Sequence, residues 1–230
     1  MTNSLTFYTH PRSRGRVARW MLEEAGAQYD TVVMQLGKKI TDPAFLDLNP
    51  MGKVPVIVHD GVVVTECAAI CAYLADAFPD KGLAPPPTER GPYYRWLLFG
   101  AGCLEPAAIN HGLGVEIAPE QEGMVGYRTL AATLDTLEWQ LERSPHIAGE
   151  TFTAADVYVA AQLGWGMQFG SIKDRPTISD YVERTHARPA HKRAVELDEA
   201  LADLGGLGRC TDQMTIGGDC APSGAWIRSK

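Results

Sequence analysis

Asn49-Pro50-Met51-Gly52-Lys53-Val54-Pro55-Val56-Ile57-Val58, followed by Thr65-Glu66-Cys67-Ala68-Ala69-Ile70, decides the fold. A turn delivers a proline directly in front of a β-branched run. Proline has no N–H, so it is tolerated at the first residue of a strand or on an edge. Val54 before it is forced extended, leaving its N–H and C=O able to pair with an added peptide strand. A helix then begins at Thr65-Glu66-Cys67, where unpaired N–H groups and a partial positive charge favour a carboxylate. The two elements together form a cradle for a short, extended, anionic peptide.

Working outward, residues 4–8 read as a strand, and Thr9-His10-Pro11-Arg12-Ser13 as a turn. A helix follows with Val17, Trp20, Met21 and Ala25 on one face and Arg16, Arg19, Glu23 and Glu24 outside it, ended by Gly26. Tyr29 to Met34 is a second strand, and residues 42–48 a short helix with Asp42 as cap and Pro43 at its first position. Pro55 to Val58 and Val62 to Val64 pair through His59-Asp60-Gly61, and Cys67, Ile70, Cys71 and Leu74 line one face of the next helix. Phe78 to Pro87 reads as a stiff irregular linker. Beyond it the pattern is helical: 93–113, 121–143, 153–169, 177–187 and 190–204. Thr153 and Asp156 form a capping box, with Phe152 and Val157 as a hydrophobic staple. The fold class is therefore α/β plus all-α: an N-terminal domain over 1–80, a helical domain over 88–204, and a Gly-rich tail over 205–230, read either as a loose end or as a flap anchored by Trp226.

The chain has 230 residues and a net charge of −7, which excludes the basic surface of a nucleic-acid binder. No stretch approaches the ~20 apolar residues that cross a bilayer, and the N-terminus has no signal-peptide pattern. Five cysteines without a Cys-x-x-Cys pair fit free thiols, which places the chain in the cytoplasm. Cys67 and Cys71 lie four apart on one helix without the ligands that would complete a metal site. His186 and His191 flank Arg188-Pro189 at a helix–helix turn.

These residues resemble the cytosolic glutathione S-transferases, of bacterial type. The resemblance rests on Phe7-Tyr8-Thr9-His10-Pro11-Arg12-Ser13-Arg14, Leu22-Glu23-Glu24-Ala25-Gly26, the two opening stretches, Phe152-Thr153-Ala154-Ala155-Asp156 and Ala187-Arg188-Pro189-Ala190. It covers about residues 5–200 and implies a thioredoxin-like domain with a mixed four-stranded sheet, a cis peptide at Val54–Pro55, a helical bundle and a homodimer. It also implies detoxifying conjugation of the glutathione thiolate to a small hydrophobic electrophile. Glutathione is then co-substrate, with no permanently bound cofactor, metal, nucleic acid or membrane partner.

In that reading Val54 and Pro55 align the cysteinyl part, Glu66 and the N–H of Cys67 hold the γ-glutamyl end, and Lys53 and Lys39 reach carboxylates. The family usually carries Ser where Cys67 stands, and a thiol is a poor donor, so Cys67 is either a weak partner or redox-active. Ser13 is the candidate activating hydroxyl, its other reading being a plain N-cap; Tyr8 and Thr9 are the neighbouring hydroxyls. Arg14 and Arg16 either assist the anion or lie solvated on the helix. His10, Arg12, Trp96, Phe99, Cys103 and Phe169 are candidates for the second-substrate pocket. The rival functions are a glutathione-dependent disulfide or peroxide reductase and a non-enzymatic binding protein on the same fold. No cysteine occupies the first strand-to-helix turn, which counts against a dithiol mechanism.

Overall fold

The computed structural model describes residues 4–35, 40, 42–173 and 175–206, with side chains up to 203. Its sheet has the order β2-β1-β3-β4. The strands are β1 (Leu5–Thr9), β2 (Asp30–Val33), β3 (Val56–His59) and β4 (Val62–Thr65). β2 runs parallel to β1, β3 antiparallel to β1, and β4 antiparallel to β3. The helices of this half are α1 (Gly15–Ala25), α2 (Pro43–Leu48) and α3 (Cys67–Ala77). The hairpin closes on Asp60 and Gly61 at φ 49° and 83°, the left-handed pair that an Asp-Gly turn supplies.

The Phe78–Pro87 linker is not wholly irregular. Pro79–Lys81 and Pro87–Glu89 each form a 3₁₀ turn, since proline suits the first position of a helical turn. The expected 93–113 segment is α4 (Gly91–Phe99), a π-helical turn (Gly100–Leu104) and α5 (Glu105–Gly112) end to end. The 121–143 expectation shortens to α6 (Leu130–Leu141). Before it, Pro119–Met124 is a 3₁₀ turn, and Arg128 sits at φ 57° ahead of the cap Thr129. The fold closes with α7 (Ala154–Gln168), α8 (Pro176–His186) and α9 (Pro189–Gly206). The capping box at the start of α7 is present. Asp156 accepts from the Thr153 N–H at 2.8 Å, and also from the Ile147 N–H and the Tyr181 hydroxyl.

One expectation about α1 fails. Arg19 was placed on its outer face but is 2% exposed. α9 covers that face with complementary charge: Arg19 Nε donates to Asp198 Oδ1 at 2.7 Å, and Arg16 pairs with Glu199. Glu24 receives Arg188 at 2.6 and 2.7 Å, and Glu23 receives Arg193 at 2.7 Å. The Arg19 guanidinium also lies 5.1 Å from the centre of the Phe7 ring. Gly26 ends α1 in the left-handed conformation, its N–H on the carbonyls of Leu22 and Glu23.

The start of α1 packs tightly on the end of β1. A Cβ added at Gly15 would fall 1.8 Å from Thr9 Oγ1, and Thr9 is buried. Gly15→Ala is expected to destabilise the chain by about 1–3 kcal/mol through overpacking. The Thr9→Ala/Gly15→Ala double variant should recover much of that loss in chemical denaturation; a strictly additive pair would exclude this contact as the cause.

Candidate functional site

The sheet register gathers the candidate residues. Tyr8 pairs with Val56, and Val56 with Thr65, so these three lie in a row across one end of the sheet. From that end the chain leaves β1 toward Ser13, enters β3 through Val54–Pro55, and leaves β4 through Glu66–Cys67. The Val54–Pro55 bond is cis. The turn before it is pinned by buried Asn49, whose side chain donates to the Lys53 carbonyl at 2.9 Å and accepts from the Met51 N–H at 3.1 Å. Gly52 supplies the φ of 61° that the turn needs. Val54 is half-buried, and its N–H and C=O have no partner among the described residues. Lys53 is exposed above it.

Glu66 is exposed and held at φ 64°, ψ 120°, a sparsely populated conformation for a side-chain-bearing residue. α3 starts directly after it with no side-chain cap, leaving its first N–H groups available to an anion. Cys67 behaves differently from the redox-active reading. Its thiol is buried and lies 3.5 Å from the Arg14 carbonyl, to which it donates. Burial, with Glu105 nearby, pushes it up to about 12, so it stays protonated at neutral pH. It joins the starts of α1 and α3 and is no nucleophile. Cys71 is buried and shifted the same way by burial.

Ser13 is half-buried in the turn before α1. Its hydroxyl donates to the His10 carbonyl at 2.7 Å and accepts from the Gly15 N–H at 3.0 Å. The capping reading therefore holds in part, because Ser13 satisfies the first N–H of α1. Thr9 is fully buried, with Oγ1 enclosed beneath Gly15. Tyr8 is half-buried with its ring 5.7 Å from that of Phe45. Arg16 is committed to Glu199 and to the Pro11 carbonyl.

The helical half sends one group to this end that the sequence reading passed over. Glu105, at the start of α5, pairs with Arg14 beside Ser13 and accepts from the Tyr158 hydroxyl, with Gln162 Nε2 at 3.4 Å. Tyr158 approaches because residue 100 is glycine: a Cβ there would lie 2.8 Å from the Tyr158 ring. A carboxylate in an apolar helix, and a Tyr and a Gln four apart on α7, are the signals that point to this network.

The second-substrate candidates scatter. Trp96, 1% exposed, belongs to the core, its ring 5.3 Å from Phe99 and beneath the Arg95 guanidinium. Helical spacing turns it inward. Phe99 is half-buried, and the Cys103 thiol donates to the Gly126 carbonyl at 3.4 Å. Phe169 is half-exposed past the end of α7, and Arg12 is exposed. The His10 imidazole accepts from the Arg12 N–H at 3.0 Å, so it braces the turn. Lys39 and the tail beyond Gly206 lie outside the described residues. Among the described residues, no group of three His, Cys, Asp or Glu is placed to hold a metal, and no helix is long and apolar enough to cross a membrane.

Comparison with known proteins agrees with this arrangement. Residues 3–76 match the model of the glutathione S-transferase N-terminal domain, and residues 114–189 that of the C-terminal domain. A glutathione S-transferase of Hyoscyamus muticus is 31% identical over 179 residues, covering 72% of this chain and 84% of that protein. The crystal structure of a glutathione transferase from Methylococcus capsulatus superposes with a TM-score of 0.71 at 31% identity, over 85% of this chain and 99% of that one. A sphingomonad glutathione S-transferase complexed with glutathione superposes at 0.70 with 28% identity, over 84% and 98% of the two chains. With its paired sheet-end loops, helical second half and these matches to both halves, the chain belongs to the glutathione S-transferase family.

Proposed function

We propose that the chain is a glutathione transferase that conjugates the glutathione thiolate to small hydrophobic electrophiles. The observation that carries the reading is the open backbone edge at Val54, set between the Ser13 turn and the start of α3. In this reading the cysteinyl unit of glutathione pairs with Val54. The γ-glutamyl carboxylate sits at the N–H groups opening α3 beside Glu66, and Lys53 attracts the glycyl carboxylate. The half-exposed Phe99 and the exposed Phe169 remain candidates for contact with the electrophile, whose identity follows from assay and not from these residues.

Ser13 donates its proton to the glutathione sulfur. Lowering a thiol near pKa ~8.5 by two units takes about 2.7 kcal/mol. A hydrogen bond to a charged group contributes ~1.5–3 kcal/mol, and the N-terminus of α1 adds ~0.3–1. One hydroxyl at this position is therefore sufficient. Gly15 N–H, already on Ser13 Oγ, leaves the hydroxyl proton as the part that turns, from the His10 carbonyl to the sulfur. A dithiol reduction has no support, because Cys67 and Cys71 are both held protonated.

Calorimetric titration with glutathione should give a millimolar or tighter complex, and an aryl-halide assay should give conjugate. A chain that binds but reduces disulfides without conjugating would favour the reductase reading, and one that binds nothing would overturn both. The proposal extends to a cytoplasmic homodimer with domains over 1–80 and 88–204, supported by the exposed apolar side chains of Met51, Tyr94 and Leu98. Light scattering at micromolar concentration should return twice the chain mass, and a monomer there would remove the dimer.

A further inference from the structure

Away from the sheet end, α1, α7, α8 and α9 enclose a cavity of about 250 Å³. Its walls include Trp20, Trp165, Met167, Val182, His186 and Asp198. It shares no residue with the Ser13, Val54 and Glu66 cluster. The histidines flanking Arg188-Pro189 build one side: their rings stack at 4.0 Å with planes 9° apart. Trp20 meets them edge-on at 5.5 and 4.6 Å. Residue 164 must be glycine for this, because a Cβ there would fall 2.5 Å from the His186 ring.

Both imidazoles are neutral near pH 7, since burial lowers their proton affinity and brings His186 to about 4. His191 Nδ1 lies 3.0 Å from the His186 carbonyl, and His186 bonds the backbone of Ala160. The nitrogen left over, His186 Nε2, is buried without a partner among the described residues. In a neutral ring whose other nitrogen donates to a carbonyl, Nε2 is an acceptor. Asp198 presents a second one. Its Oδ1 receives Arg19, while Oδ2 is buried and unpartnered, on a residue 1% exposed.

Leaving a buried acceptor unmade costs about 1–3 kcal/mol. Two on the walls of one cavity point to a donor that belongs there. Charge narrows its chemistry. Arg16 and Arg19 on α1 balance Asp198 and Glu199 on α9, so no uncompensated charge awaits an ion. Aromatic and aliphatic side chains make up the rest of the wall. An apolar cavity of about 150 Å³ takes a benzene ring, so this one has room for two fused rings.

We propose that this cavity is a second binding site, for a small neutral aromatic molecule bearing an N–H or O–H donor, packed against Trp20 and Trp165 and hydrogen-bonded to His186 Nε2 or Asp198 Oδ2. A donor matched to a buried acceptor discriminates strongly against the analogue that lacks it.

The test titrates indole and 1-methylindole into the full chain by calorimetry, with S-methylglutathione saturating the sheet-end site. The indole N–H resonances of Trp20 and Trp165 are followed in parallel. Indole should bind at millimolar or better and shift both resonances, and 1-methylindole should bind at least about tenfold more weakly. His186→Phe should erode that preference, and Val195→Trp, which fills the cavity, should abolish binding, both without changing conjugation. Equal affinity for the two probes overturns the proposal. So does a shift confined to other tryptophans, or no binding up to the solubility of indole. The two-probe comparison on the unaltered chain decides the matter even if a variant fails to fold.

Discussion

Ser13→Ala is expected to slow glutathione conjugation by about ten- to a hundredfold, the loss of one charge-assisted hydrogen bond in the transition state. The thiol of bound glutathione should climb back toward its free value of ~8.5, read from thiolate absorbance against pH. The Ser13 hydroxyl is half-buried at the mouth of α1, whereas Thr9 beside it is sealed under Gly15 and has no path to a ligand. Stability should fall by only about 1 kcal/mol, the worth of a local cap. Unchanged turnover with an unshifted thiol would take Ser13 out of the chemistry and turn attention to Arg14, which Glu105 holds one residue away.

Asp198→Leu should be the most destabilising single change, at about 3–5 kcal/mol, because it strands the buried Arg19 guanidinium without its partner. Arg19→Met combined with Asp198→Leu should regain most of that, since an apolar pair of similar volume incurs no desolvation of charge. Asp198→Asn isolates the ionic part. Burial pushes the Asp198 carboxyl up to about 6, against the opposing pull of Arg19. A folded-state value above the unfolded one means this group favours the folded chain most below pH ~4. That favour is lost as pH rises through about 6. The Asn variant should therefore show a flatter stability profile between those limits in urea titrations. A wild-type profile in the variant would assign the slope to another group.

The N-terminal half was legible because its signals are local. The Pro55 strand, the Asp60-Gly61 hairpin and the Gly26 stop each act within a few residues, and all three stand where the pattern put them. The α6 region was misread because helical periodicity there continues through residues that the chain spends on a turn at Arg128 and a cap at Thr129. Arg19 shows a deeper limit. Its position on the polar face of α1 was read correctly, but a polar face is solvent-facing only if nothing covers it, and the helix that does begins about 170 residues later. Glu105 was hidden for the same reason, since its partners Arg14 and Tyr158 lie far off in the chain. Cys67 was legible as an oddity, yet only burial decides that its sulfur is inert.

The lattice of ion pairs between α1 and the stretch from Arg188 to Glu199 orders events during synthesis. The segment that emerges first from the ribosome carries a charged flank whose counterions are translated nearly last. Until then Arg19, Glu23 and Glu24 face water, and the turn bearing Ser13 rests on a helix with one side unclad. A nascent chain halted before Asp198 would hold a finished sheet and an unfinished active end, so competence for glutathione arrives only with the closing helix.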